Sequence, residues 1–148
     1  MTTTTLSNPA LFATTKEHRS VGARIWVGRV MTGLVTAFLV LDTVVKLGRA
    51  TPAVEGTVAL GYPASAVAVI GVIEAVCIAA YLIPRTAILG AVLLTGYLGG
   101  AIATHLRLGN PLFTHILSPL YFAAIIWGGL YLRDARVRGL LARRSSRA

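Results

Sequence analysis

Acidic residues are scarce in this chain, five among 148, and Cys77 is its one cysteine. A single thiol cannot form an intrachain disulfide, so the dithiol chemistry of some small membrane thiol reductases is excluded within this chain, and Cys77 reads as a small buried residue. Charged side chains make up only 13% of the sequence, against about 25% in an ordinary soluble domain. No segment alternates apolar and polar residues with a period of two, which excludes a closed transmembrane strand barrel. The N-terminal MTTTTLSNPALFATT has no basic region ahead of a short apolar core. The first long apolar run comes too late and is too long for a cleaved secretion signal, so the opening residues read as a short, poorly ordered tail.

Apolar length is what the chain has in abundance. Hydrophobic residues reach 55% and the mean hydropathy is +0.74. Segments at about 26–47, 64–83, 86–106 and 111–132 each approach the ~20 residues that cross a hydrocarbon core. Lipid offers the backbone no hydrogen-bond partners, so such segments are helices. The expected fold is all-α, an integral membrane four-helix bundle. Residues 1–24 form an N-terminal tail, 25–132 the four spans, and 133–148 a basic C-terminal tail.

The formal charge of +9 is placed at helix ends, which argues against a nucleic-acid partner. Lys16, Arg19, Arg24, Arg29, Arg85, Arg133, Arg136, Arg138, Arg143, Arg144 and Arg147 fall on one side of the spans, and only Lys46, Arg49 and Arg107 on the other. The positive-inside rule therefore puts both termini in the cytoplasm. The tail RDARVRGLLARRSSRA either lies on anionic lipid or serves topology alone. The outer loop GRATPAVEGTVALGYP reads as a short interfacial helix, with Thr51 as N-cap, Pro52 first in the helix and the end at Gly61. It is either a lid or a passive surface helix.

Ionisable residues inside such spans have to be sheltered. Glu74 lies near the middle of the second span, where inserting an acid costs about 2.5–3.5 kcal/mol, so it faces the interior and needs a partner. Lys46 and Arg107 are the candidate bases; a proton on Glu74, donated to a carbonyl, is the alternative. Asp42 and Lys46 share one face of the first span in the favourable acid-then-base order. They form a local ion pair or border the mouth of a polar pocket. The third span carries Gly96, Gly100 and Thr104 at helical spacing, with Gly99 and Ala103 beside them, rows that admit a close neighbouring helix or a homodimer. Its end supplies Thr104, His105 and Arg107. Asn110 and Pro111 read as the cap and first residue of the fourth span, which carries His115, then Pro119 as a kink near Tyr121.

These groups converge on one expected pocket in the outer half of the bundle. Glu74, His105 and Lys46 are the candidate catalytic groups; Asp42, Arg107, Asn110, His115, Thr104 and Tyr121 are candidate ligand contacts. A metal or haem ranks lower, since no HxxxH or ExxH pair occurs among these residues.

The segments KLGRATP, GYP, GVIEA, LIPRTAILGAVLLTGYLGGAIATHLRLGNPLF and WGGLYLRD resemble the DoxX-like family of small four-span bacterial membrane proteins, over about residues 33–138. The resemblance implies a bundle in the bacterial inner membrane and a link to quinone-dependent redox metabolism. It carries over no established catalytic residue. Three functions follow as expectations. One is binding of a lipophilic small molecule such as a quinone, alone or with an oxidoreductase partner subunit. The second is a free-standing enzyme doing acid–base chemistry on a lipophilic substrate, by isomerisation, cyclisation or epoxide opening. The third is an oligomeric transporter or scaffold.

Overall fold

The computed structural model describes residues 9–145, and every regular element among them is helical. Helix α1 spans Pro9–Leu47, α2 Thr51–Ala59, α3 Ala66–Leu82, α4 Ala87–Arg107, α5 Ser118–Arg133 and α6 Ala135–Ser145, with a wide π turn at Leu112–Ile116 between α4 and α5. The chain is a membrane helical bundle. The segments Val21–Leu47, Ala87–Arg107 and Leu112–Arg133 are long and apolar enough to cross a bilayer, and α3, at 17 residues, is at the short limit for a fourth.

Helix α1 packs against α5 and α3, α3 against α4, and α4 against α5, which closes a ring of four. The buried side of α1 reads Thr32, Val35, Thr36, Leu39 and Thr43, the three-and-four spacing of one helix face. It meets Ile78 and Tyr81 of α3, Ala91, Leu94 and Leu98 of α4, and Ile126 and Leu130 of α5 in a single core. Leu34, Leu41, Val69, Val76, Leu89 and Val92 lie on the opposite faces, each more than half exposed. An apolar surface of that extent belongs against lipid, where it costs nothing.

Close approach is concentrated at three glycines. Helices α1 and α5 cross at Gly28 and Gly129, where a Cβ on Gly28 would lie 2.9 Å from the Gly129 carbonyl oxygen. Helices α3 and α4 form a hairpin through residues 83–86, held by the Thr86 hydroxyl donating to the Ala80 carbonyl at 2.8 Å. At Gly90 the α4 backbone lies directly against Tyr81 of α3. The row Gly96, Gly99 and Gly100 does something else: a Cβ at any of them meets nothing within 4 Å. These positions do not admit a neighbouring helix of this chain; Gly96 and Gly100 open onto a cavity instead.

One end of the bundle is closed by α6. Tyr81 donates to the Ile126 carbonyl at 3.0 Å, and Arg133 donates to the Tyr81 carbonyl at 3.2 Å while its guanidinium stacks on the same ring. Val137 of α6 is buried in the core beneath them. Arg136 bridges the Asp134 carboxylate and the Pro84 carbonyl, and holds the Asp134 carboxyl below its ordinary acidity range. The other end carries α2.

Five details differ from the sequence reading. Helix α1 starts at Pro9, so residues 9–15 are helical where a poorly ordered stretch was expected; residues 1–8 and 146–148, with Arg147, lie outside the described residues. The α2 cap is Ala50 and not Thr51, because Arg49 takes a left-handed φ of 50° and turns the chain one residue earlier. The helix ends at Ala59, and Gly61 supplies the following turn with φ of 83°. Asn110 does not cap the fourth span: Pro111 precedes the π turn, and α5 begins at Ser118. Pro119 thus falls in the first turn of α5, where its missing N–H costs no bond, and starts the helix instead of kinking it.

Candidate functional site

The early turn at Arg49 ends α1 beside the middle of α3, with the Lys46 and Leu47 side chains against Gly71. Any Cβ on Gly71 would lie 3.1 Å from Lys46 Cβ, so the glycine is what lets the lysine reach the next turn of α3. That turn carries Glu74. Lys46 Nζ donates to Glu74 Oε2 at 2.9 Å, to Asp42 Oδ2 at 2.5 Å and to the Tyr97 hydroxyl oxygen at 2.7 Å, which engages all three ammonium hydrogens. Tyr97 in turn donates to Glu74 Oε2 at 3.2 Å. Three helices are joined at one nitrogen.

The cluster is graded in depth. Glu74 is 0% exposed, the Lys46 side chain 17% and the Asp42 side chain 41%. Two carboxyl groups share one ammonium, so the group carries one negative charge in excess or retains one proton. Glu74 Oε1 is buried and has no hydrogen-bond partner among the described residues. An unsatisfied buried oxygen costs about 1–3 kcal/mol, more when charged, and such a cost is tolerated where a ligand relieves it.

Glu74 lines a cavity of about 540 Å³ in the α2 half of the bundle. Phe38, Leu39, Ile70, Ile73, Leu98 and Phe122 form apolar walls, and Asp42, Lys46, Tyr97, Thr104 and His105 supply the polar points. Phe38 stacks on Phe122 with ring centres 4.7 Å apart, which joins α1 to α5 on one wall. Gly96, Gly100 and Ala101 form part of the α4 wall, and the side chains that the two glycines lack are the space itself. The segment containing α2 lines the cavity through Thr57, Leu60 and Tyr62. It is fastened to α4 twice, by the Tyr62 hydroxyl bonded to the Thr104 hydroxyl at 2.8 Å and by Arg107 donating to the Leu60 carbonyl at 3.0 Å.

Of the residues expected at the pocket, Asp42, Lys46, Glu74, Thr104 and His105 line this cavity. Arg107 holds the loop after α2 and is not the partner of Glu74. Asn110 bonds His105 Nδ1 at 2.8 Å, and His115 stands beside His105 in a second cavity of about 540 Å³ that opens under α2. Tyr121 lines neither cavity and is 55% exposed, because the start of α5 at Ser118 turns it outward. Tyr97 was missed. It shares the helix face of Leu94, Ala101 and Thr104, and the need of a buried ammonium for a third acceptor is the signal that points to it.

A family model for the DoxX-like family matches residues 30–129. No curated protein and no solved structure matches the chain.

Proposed function

The chain belongs to the DoxX-like family, and from that premise we propose that it binds one lipophilic small molecule in the cavity over Glu74, with the Asp42–Lys46–Tyr97–Glu74 cluster meeting the polar head of the ligand. The observation that carries this reading is the fully buried Glu74, fixed through Oε2 and free at Oε1, on an apolar cavity inside a membrane bundle. A volume of about 540 Å³ is within the roughly 300–1,000 Å³ of small-molecule sites. The apolar walls suit a ring or isoprenoid body, and the hydroxyl, ammonium and carboxyl groups suit carbonyl or hydroxyl oxygens. A quinone has both features and agrees with the redox link of the resembling proteins, where an oxidoreductase subunit would be the partner. The excess of basic residues at one end of the spans supports an orientation with both termini in the cytoplasm and the α2 end outside, in a bacterial inner membrane as the family resemblance implies.

A second reading rests on the same free oxygen. A buried carboxyl with one oxygen anchored and one unclaimed can pass a proton to or from a bound substrate, so acid–base catalysis on a lipophilic substrate, such as isomerisation or epoxide opening, uses the same residues. Equilibrium binding of decyl-ubiquinone to the detergent-purified protein tests the first reading. One molecule should bind per chain, and Glu74→Gln should weaken binding at least tenfold with helicity by circular dichroism unchanged. Equal binding by wild type and Glu74→Gln would remove the quinone from this site.

A further inference from the structure

The second cavity holds a pair of histidines that the Glu74 cluster does not use. Gly109, with φ of 65°, ends α4, and the π turn at Leu112–Ile116 then folds the chain back so that His115 faces His105. Their ring centres lie 5.3 Å apart with planes inclined at 58°. Each ring is held by its Nδ1. Asn110 bonds His105 Nδ1 at 2.8 Å, and the Thr114 hydroxyl bonds His115 Nδ1 at 2.7 Å. The Nε2 atoms have no hydrogen-bond partner among the described residues.

Ring centres at that separation leave room for one ion shared between the two imidazoles. An imidazole ligating through Nε2 at about 2.0–2.1 Å sets its ring centre about 3.2 Å from the ion, and two such rings on a tetrahedral centre stand about 5.2 Å apart. Ligating histidines engage their other nitrogen with a fixed neighbour, which sets tautomer and ring orientation. Thr114 does this for His115, and Asn110 does it for His105 once its amide oxygen is turned to accept from Nδ1–H, the two orientations of an amide being interchangeable. Gly56 and Ala59 of α2 keep the facing wall small, and nothing lies within 4 Å of a Cβ at Gly56. Space for further ligands remains. The sequence expects both histidines at one pocket but ranks a metal low, because they are not at helical spacing; the Gly109 turn is what brings the two rings together.

We propose that His105 and His115 form a binding site for Zn(II), for which Cu(II) serves as the paramagnetic probe, with two imidazole Nε2 donors and the remaining positions open to water or an external ligand. The site is separate from the lysine–glutamate cluster, and its cavity shares with the first only the walls formed by Leu60 and His105. Titration of the full-length detergent-purified protein with Cu(II), followed by electron paramagnetic resonance, tests it. One equivalent should bind, with hyperfine splitting from two nitrogens. His105→Ala and His115→Ala should each weaken binding at least tenfold, and Asn110→Ala by about 10–100-fold. His18→Ala should leave the spectrum unchanged. The proposal is overturned if no stoichiometric Cu(II) binds, if the doubly substituted His105→Ala/His115→Ala protein still binds one equivalent while circular dichroism reports an intact fold, or if His18→Ala removes the signal.

Discussion

Replacing Lys46 by methionine is expected to destabilise the bundle by about 3–5 kcal/mol, the usual cost of stranding a buried charge by removing its partner. Glu74 is 0% exposed and, among the described residues, its anchored oxygen accepts from Lys46 and Tyr97 alone. With methionine at position 46, Asp42 also loses its cation, and the Tyr97 hydroxyl is left to hold the carboxyl by itself. The loss comes from the carboxylates left behind more than from the attraction forfeited. The combined variant Asp42→Asn/Lys46→Met/Glu74→Gln should therefore recover most of the stability, since it leaves no formal charge in the cluster, and should still fail to bind ligand. Thermal unfolding followed by circular dichroism in mild detergent measures both. A single variant as stable as wild type would mean that the cluster is solvated and has no buried charge to compensate.

The second large effect is predicted at Gly90. A Cβ there would lie 2.1 Å from the Tyr81 nitrogen, 2.4 Å from its Cα and 2.5 Å from the Ala80 carbonyl carbon. All three are backbone atoms, and none can rotate aside. Relief requires α3 and α4 to separate, which disturbs Leu94 and Tyr81, two of the fully buried core residues. Gly90→Ala should cost about 3 kcal/mol or more, at or beyond the upper end of ordinary overpacking. Gly100→Ala adds the same methyl group into open space and should change stability by no more than about 1 kcal/mol in either direction. Parallel unfolding curves for the two variants compare them directly. Equal stabilities would show that the hairpin is not packed through Gly90.

Much of the fold was legible because lipid leaves the backbone so few options: the apolar segments had to be helices, and the short link at Pro84 had to close a hairpin. Legibility fell away where depth and contact decide. The sequence named Lys46 and Arg107 as equal candidates for Glu74. The choice was made by the left-handed turn at Arg49, which ends α1 level with Gly71, and by the Leu60 carbonyl, which occupies Arg107. A glycine row looks the same in sequence whether it admits a helix or leaves a void. Gly28, Gly90 and Gly129 do the first; Gly96 and Gly100 do the second. Tyr97 carries no charge and sits among apolar residues and glycines in the middle of its span, so nothing local in the sequence marks it as a partner of Lys46. Tyr121 is expected at the pocket from a kink at Pro119, but Pro119 starts α5 instead, and a helix starting at Ser118 turns Tyr121 outward. Helix phase after an irregular turn is fixed by the turn, and the π turn at Leu112–Ile116 had no local signature to announce it.

Native mass spectrometry tests the central claim, that the cavity over Glu74 holds a lipophilic small molecule. The proteins to compare are wild type and Gly100→Leu, each incubated with a total lipid extract of the host membrane and released from mild detergent. Gly100 lines the cavity and a side chain added there meets no atom within 4 Å at its Cβ, so leucine fills the space without opening the fold. Wild type is predicted to carry one small organic molecule per chain, and Gly100→Leu, with unchanged helicity, to appear at the mass of the polypeptide alone. Bare polypeptide mass for wild type, or the same bound mass on both proteins, would contradict the account.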